Sequence, residues 1–134
     1  MSKIFIGIDP GVKTGLAVMV DSQLKHCSTS SFWSVMDYIN TQNHEDLVVY
    51  IEKPDTKAVW HTGATSQAAK NRTAVNVGSI IREAELIIAR LQALGIETHI
   101  IKPKGKVDKN KFEKITGWTK KTSQHARDAA MLLF

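Results

Sequence analysis

KIFIGIDPGVKTGLAVMV, residues 3–20, contains the clearest strand pattern in the chain. Its first part is dense in β-forming residues and stops at Pro10-Gly11, and residues 14–20 form a second apolar run. The GVKTG segment between the two runs has the composition of a turn. These residues therefore predict two strands joined by a tight turn, with Asp9 at the end of the first strand.

The rest of the chain alternates between strand and helix patterns. Residues 24–31 predict a weaker third strand, residues 30–40 a short helix capped by Ser30 or Ser31, and residues 46–54 (DLVVYIEKP) a strand covered on both faces. A polar stretch from Pro54 to about Thr73 is predicted as a loop or lid. A long helix follows and ends at Gly95. Its apolar face consists of Ile80, Ile81, Ala84, Ile87, Ile88, Leu91 and Leu94.

A final strand over residues 97–103 and two helices over residues 108–118 and 123–134 complete the pattern. The order β-β-β-α-β-α-β-α-α predicts an α/β fold with a mixed five-stranded sheet flanked by helices, in one domain over residues 1–134. Helical crossovers leave strand four parallel to part of the sheet. If strand four docks beside strand one, Asp9 and Glu52 become neighbours at one edge.

Charge is concentrated near the end of the chain. The net charge is +5, but eight lysines stand against two acids between residues 102 and 121. A solvated lysine face is one interpretation, and a surface for a polyanion is the other. The lysines are residues 102, 104, 106, 109, 111, 114, 120 and 121, and the acids are Asp108 and Glu113.

Several classes of protein are disfavoured by the composition. No apolar run approaches the roughly 20 residues that span a bilayer, and the N-terminal run reads as a strand rather than a signal peptide. Cys27 is the only cysteine, which excludes an intrachain disulfide and a cysteine-based zinc site. We therefore expect a cytoplasmic protein without a membrane partner.

The segment SQHARDAAML, residues 123–132, carries two polar groups on a helix otherwise suited to packing. His125 and Asp128 are three residues apart and share one helix face. The pair can be a charge pattern that supports the helix, or it can be half of a reaction centre.

Three motifs together are recognisable: FIGIDPGVKTGLAV at residues 5–18, VVYIEKP at 48–54 and HARDAAMLL at 125–133. In this order and at these separations they resemble the RuvC-type Holliday junction resolvases of the ribonuclease H-like nuclease superfamily, over essentially the whole chain. The resemblance implies a ribonuclease H-like fold in which Asp9, Glu52, His125 and Asp128 bind two divalent ions. Many relatives carry aspartate where this chain has His125, and some carry histidine.

Electrostatics independently favours a cation at this site. Two carboxylates 4 Å apart repel by about 4 kcal/mol at an effective dielectric constant near 20. A hard divalent cation relieves the repulsion, and oxygen ligands favour Mg²⁺ or Mn²⁺. We expect Asp9 to bridge two ions, and Glu52 and Asp128 to hold one each. His125 either joins the coordination or orients the attacking water as a base.

The resemblance also implies contacts with branched DNA, such as a four-way junction, made by a homodimer that pairs through the long helix. Trp60 is expected either to stack on unpaired bases or to anchor its loop, and Arg72 is a candidate phosphate contact. Lys109 matches a basic position of the resolvases. The lysines predicted to bind phosphates are Lys102, Lys104, Lys106, Lys109 and Lys111.

Two other functions fit parts of the sequence. GIDPGVKTGLAV also suits the YqgF-like nucleases, which would act on RNA, but their second strand motif lacks an acid like Glu52. A non-catalytic DNA-binding module of the same fold is the other alternative. A protein that only binds a polyanion gains nothing from clustered acids, so we expect an endodeoxyribonuclease.

Overall fold

A computed structural model describes residues 3–54 and 67–134, without the side chains of residues 67–77. The elements follow the predicted order, and a short 3-10 turn, His44–Asp46, precedes the fourth strand. They are β1 (Ile4–Asp9), β2 (Thr14–Val20), β3 (Gln23–Ser30), α1 (Phe32–Thr41), β4 (Leu47–Glu52), α2 (Gln67–Ala93), β5 (Glu97–Ile101), α3 (Lys109–Thr116) and α4 (Gln124–Met131).

The five strands form one sheet in the order β3-β2-β1-β4-β5. The β1–β2 and β2–β3 pairs are antiparallel, whereas β1–β4 and β4–β5 are parallel. The prediction of an α/β fold with a mixed five-stranded sheet is therefore confirmed. Because Ile8 pairs with Ile51 in the parallel register, Asp9 and Glu52 end adjacent strands at the same edge.

Large aliphatic side chains fill the face of the sheet that packs against α1 and α2. Residues on β1, β2 and β4 alternate their side chains, so every second one points to this face. Burying these side chains supplies the main favourable free energy of folding. The fully buried members of this core are Ile6, Ile8, Val35, Ile39, Leu47, Val49, Ile51, Ala84, Ile87 and Leu91.

The opposite face packs against α3 and α4 and contains much smaller side chains. Phe112 of α3 is its only large, fully buried side chain in the described part of the chain. Small residues let a helix backbone approach a sheet closely, and this decides the geometry of the site described below. The other buried members are Ala17, Cys27, Ala126, Ala129 and Ala130.

Polar caps fix where the helices begin. Ser31 caps α1, which resolves the choice between Ser30 and Ser31. Asp108 accepts a hydrogen bond from the Lys111 N–H at 2.8 Å at the start of α3, and Ser123 caps α4. Each cap satisfies an N–H group that has no partner within the helix.

The start of α2 corrects the sequence prediction. The helix begins at Gln67, so the prediction of a loop extending to Thr73 is wrong for residues 67–73. Glutamine, alanine and lysine form helices readily, but this part of the helix lacks the apolar periodicity that revealed the rest. Trp60 and the side chain of Arg72 lie outside the described residues, and their predicted DNA contacts stay predictions.

The end of the chain also differs slightly from the prediction. Helix α4 ends at Met131 rather than continuing to Phe134, with Leu132 as its cap. Within residues 3–54 and 67–134, no helix is both long enough and apolar enough to cross a bilayer.

Candidate metal centre at the sheet edge

Two adjacent strands deliver the first two acids. Asp9 and Glu52 are the last residues of β1 and β4, and both point to the α4 face of the sheet. Asp9 is 7% exposed, whereas Glu52 is half-buried. An acid buried to this degree needs charged or hydrogen-bonding partners, because desolvating a lone carboxylate is costly.

Two glycines bring α4 almost into contact with the backbone of β1 and β2. A Cβ atom added to Gly15 would lie 2.1 Å from the carbonyl oxygen of His125, and one added to Gly7 would lie 2.1 Å from that of Ala129. Either atom would overlap the helix backbone. The Cys27 thiol on β3 also donates a hydrogen bond to the Ala126 carbonyl at 3.3 Å. The helix is therefore held at a fixed and unusually short distance from the sheet.

This close approach places His125 against Asp9. The His125 Nδ1 atom lies 2.9 Å from Asp9 Oδ2, within hydrogen-bonding distance. One ligand atom from each of Asp9, His125 and Asp128 lies within 4.8 Å of the other two. Glu52 is not part of this compact group and borders it through Asp9. The His125 side chain is 47% exposed, so the group opens to solvent on that side.

The carboxyls perturb one another strongly. Burial raises the pKa of Glu52 to about 8, and the hydrogen bond with Asp9 and the charges of Asp9 and Asp128 act in the same direction. Burial also raises the pKa of Asp9. The Lys106 ammonium opposes both shifts. The raised pKa favours the protonated form of Glu52, and a cation that binds these acids would displace that proton.

A hydrogen-bond chain on α4 orients Asp128, and the sequence analysis missed it. The Gln124 side-chain amide donates to Asp128 Oδ1 at 2.8 Å, and Arg127 donates to Gln124 Oε1 at 3.1 Å. Arg127 in turn is anchored on the Thr122 carbonyl at 3.1 Å. The i, i+4 spacing of Gln124 and Asp128 was the available signal.

A second missed contact lies on the other side of the sheet. The fully buried Thr14 donates a hydrogen bond from Oγ1 to Glu83 Oε1 on α2 at 2.8 Å. The Glu83 carboxylate is close enough to contribute to the raised pKa of Asp9. Glu83 occupies a polar position beside the predicted apolar stripe, and no pattern in the sequence linked it to Thr14.

The predicted DNA-binding lysines are all exposed and border the site to different extents. Lys104 lines a small cleft together with Glu52 and Asp128. Lys106 lies near enough to both strand-end acids to affect their pKa values. Lys102 directly follows β5, while Lys109 and Lys111 are on α3.

The donor set fits a hard divalent cation. Asp9 and Asp128 offer carboxylate oxygens, Glu52 offers a further one at the border, and His125 adds an imidazole nitrogen. Oxygen-rich ligand sets favour Mg²⁺ or Mn²⁺. Burial and the charges of Asp9 and Asp128 together raise the pKa of Glu52, and such an ion would offset both effects.

No model of a known protein family matches this chain, and no curated protein is significantly similar to it.

Proposed function

We propose that this protein is a divalent-metal-dependent, structure-selective endonuclease of the ribonuclease H-like fold that cleaves phosphodiester bonds in branched DNA. The observation that carries the proposal is the convergence of Asp9, His125 and Asp128, with ligand atoms within 4.8 Å of one another and Glu52 alongside. The sheet order and the parallel β1–β4 pair that create this convergence are compatible with that fold.

The acids would hold the ions, and His125 would act beside them. Two Mg²⁺ or Mn²⁺ ions would polarise the scissile phosphate, activate a water and stabilise the leaving oxygen. Asp9, Asp128 and Glu52 would hold these ions. In the tautomer whose Nδ1 donates to Asp9, the Nε2 atom of His125 would accept the proton of the attacking water. Direct coordination by His125 is the alternative role.

The lysines would hold the DNA backbone next to the acids. Lys104 and Lys106 lie at the site itself, and Lys102, Lys109 and Lys111 extend the positive surface away from it. Such contacts read charge rather than sequence, so binding should weaken steeply as salt is added. Recognition of a branch would then depend on shape.

A homodimer is part of the proposal, because cutting a four-way junction symmetrically requires two sites. An open groove of about 710 Å³ runs between α1 and α2. Trp33 is 74% exposed and Leu86 is 47% exposed at this groove, with Phe32 packed edge-on against Trp33. Exposed apolar surface of this kind is typical of protein contacts. A cytoplasmic location, where the single buried cysteine would stay reduced, completes the proposal.

The nuclease proposal is tested with a synthetic four-way junction, a fork and a linear duplex in Mg²⁺ or Mn²⁺. We expect symmetric nicking of the junction by the parent protein and none by Asp9→Asn or Asp128→Asn. Asp37→Asn, at an exposed position on α1, is the matched control and should cleave normally. Preferential degradation of single-stranded RNA would favour the YqgF-like alternative, and junction binding without cleavage would favour the non-catalytic module.

The dimer is tested by measuring mass in solution. Leu86→Glu places a charge in the proposed interface and should give monomers at concentrations where the parent is dimeric. Ile115→Glu changes a similarly exposed residue on α3, at the opposite face, and should leave the mass unchanged. A monomeric parent, or dimers unaffected by Leu86→Glu, would contradict this interface.

A further inference from the structure

The α4 face of the sheet is covered over only part of its width. Helix α4 packs against β1, β2 and β3, and β5 forms the outer edge beyond β4. Tyr50 on β4 pairs with His99 on β5. Two residues further along the same strands, Glu52 pairs with Ile101. Strand alternation puts Tyr50, Glu52 and His99 on the same face. Tyr50 and His99 therefore form an aromatic row, which lies about 7 Å from Glu52 when measured along the strands.

The two aromatic rings in this row are stacked. The Tyr50 and His99 ring centroids are 4.8 Å apart, and the ring planes differ by 19°. His99 is held in place because its Nε2 atom lies 2.8 Å from Glu97 Oε2, two residues earlier on β5. Its side chain is still 44% exposed. Because the ring is already fixed, little conformational entropy is lost when a flat ligand stacks on its exposed surface.

Positive charge continues directly from this row. The segment after β5 carries Lys102, Lys104 and Lys106, all exposed, with no acid between them. Glu97 is the nearest acid on β5, and it faces the His99 imidazole. Lys104 and Lys106 also reach the acids of the metal centre. The aromatic rings and Glu52 thus share one face of the sheet, and the lysine segment runs from the end of β5 to the acids.

We propose that the Tyr50–His99 pair is a stacking platform for an unpaired nucleobase of a nucleic-acid strand that runs along this surface. Stacking on aromatic rings tolerates any base, because every base has a π-face, and lysines beside the rings neutralise the strand's phosphates. In this arrangement, the nucleic-acid phosphate next to the stacked base lies on the side of the platform that is nearer to the acids of the metal centre. In this last respect the inference rests on the proposed nuclease function, since that phosphate is the one positioned for cleavage.

A nucleobase suits this surface better than a protein partner does. The platform is small and is followed along the chain by three exposed lysines, whereas a broader apolar surface of the described residues lies at the groove beside Trp33. Stable protein interfaces generally have an apolar core depleted of charged residues.

The platform is tested by the affinity for a fluorescent thymidine oligonucleotide about 12 residues long, measured at pH 8 in EDTA. We expect His99→Ala to bind about fivefold more weakly than the parent, which is at the low end of effects for losing one stacked base. His99→Tyr keeps a ring at this position and should bind at least as well as the parent. Neither change should alter the slope of affinity against salt, because neither removes a phosphate contact.

His26→Ala is the matched control. His26 is an exposed histidine on β3, at the other edge of the sheet, and it also bonds to the residue two positions along its strand. It should bind like the parent. Equal weakening by His26→Ala and His99→Ala, or an unchanged affinity of His99→Ala, would overturn the platform.

Photocrosslinking gives an independent readout. Oligonucleotides with 5-iodouracil should crosslink to Tyr50 or His99, and crosslinks only at the Trp33 groove would overturn the inference. A changed solution mass of His99→Ala would assign the surface to a protein contact and would also overturn it. These assays need neither a divalent ion nor cleavage, so the two proposals can fail separately. If only the nuclease proposal fails, the junction stays intact while binding still depends on His99.

Discussion

The two faces of the central sheet differ in the size of the side chains that they bury. Against α1 and α2 lie isoleucine, leucine and valine, including Ile87 and Leu91, which are fully buried. Against α4 lie glycine and alanine, and the helix backbone nearly touches the strands at Gly7 and Gly15. The aliphatic face buries far more apolar surface, which is what stabilises a fold. The small-residue face fixes distances, and it carries the four residues predicted to bind metal, namely Asp9, Glu52, His125 and Asp128.

This difference separates stability from site geometry. A large side chain can repack when a neighbour changes, whereas a helix backbone in contact with a glycine has no room to adjust. Changes on the aliphatic face should therefore lower the free energy of unfolding and leave the site intact. Changes on the small-residue face should disturb the site beyond their effect on stability.

The largest effect on stability is expected from Ile87→Ala. The side chain is fully buried in the aliphatic core, so its truncation should lower the free energy of unfolding by about 3 kcal/mol. Chemical denaturation measures this, with Gln92→Ala on the exposed side of α2 as the control. Mn²⁺ affinity of the folded protein, measured by calorimetry, should stay at the parent value. A marked loss of affinity would mean that the two faces are not independent.

Gly15→Ala should cost less stability but damage the site. The new methyl group would meet the His125 carbonyl, so α4 must shift, at a cost of about 2 kcal/mol. Mn²⁺ binding should fall well below that of Ile87→Ala. Burial holds the pKa of the Cys27 thiol at about 11, and displacement of α4 should speed its alkylation by iodoacetamide at pH 8.

Gly78→Ala is the control for that substitution. Beyond the neighbouring residues of the helix itself, no atom of the described residues lies within 4 Å of a Cβ atom at Gly78, so the change should be neutral or stabilising for the helix. Gly15→Ala with normal Mn²⁺ affinity and normal Cys27 reactivity would contradict the role assigned to the small-residue face.

The metal-free protein should lose stability as the pH rises from about 4.5 to about 8. Across this range Glu52 is protonated in the folded state and ionised in the unfolded state, because its pKa is raised from 4.5 to about 8. The folded state therefore binds more protons, and stability falls with pH. Solvent reaches the half-buried carboxyl, so we expect a loss of only about 1.5 kcal/mol.

Thermal melts in EDTA from pH 5 to pH 8.5 measure this loss. Glu52→Gln cannot ionise and should flatten the decline. Added Mg²⁺ should raise the melting temperature more at pH 8 than at pH 5.5, because metal and proton compete for the same carboxyls. A decline that is equally steep in Glu52→Gln would assign it to other groups.

Gln124→Ala should have the smallest effect on folding and a clear one on metal binding. It removes the hydrogen bond that orients Asp128, at a cost below about 1 kcal/mol. The affinity for Mn²⁺ should fall about tenfold, as is typical when the partner of a metal ligand is lost. Gln124→Glu, which keeps the side-chain length but adds a negative charge next to Asp128, should not restore it by hydrogen bonding.

Much of the fold could be predicted from the sequence, because the patterns concerned are local. Hydrophobic periodicity indicated each strand and helix, and the crossover rule placed β4 parallel to a neighbouring strand, which brings Asp9 and Glu52 to one edge. The predicted start of α2 was wrong because the first turns of this helix are polar and carry no periodic signal.

The site's supporting contacts could not be predicted in this way. The role of Gly15 depends on the distance between a helix and a sheet, and the bond from Gln124 to Asp128 depends on which rotamers the packing allows. Both arise from tertiary structure. The stacking of Tyr50 on His99 needed the β4–β5 register, which no single segment of the chain contains.

The bond between Thr14 and Glu83 joins the strand next to Asp9 to the helix that carries Leu86. A second subunit bound at Leu86 would thus contact α2 less than one helical turn from Glu83, whose side chain is hydrogen-bonded to Thr14 on β2. We expect metal binding and dimerisation to be thermodynamically linked. If Mn²⁺ changes the dimer dissociation constant by a certain factor, dimerisation must change the Mn²⁺ affinity by the same factor. Thr14→Val, which leaves both binding surfaces in place, should uncouple the two equilibria.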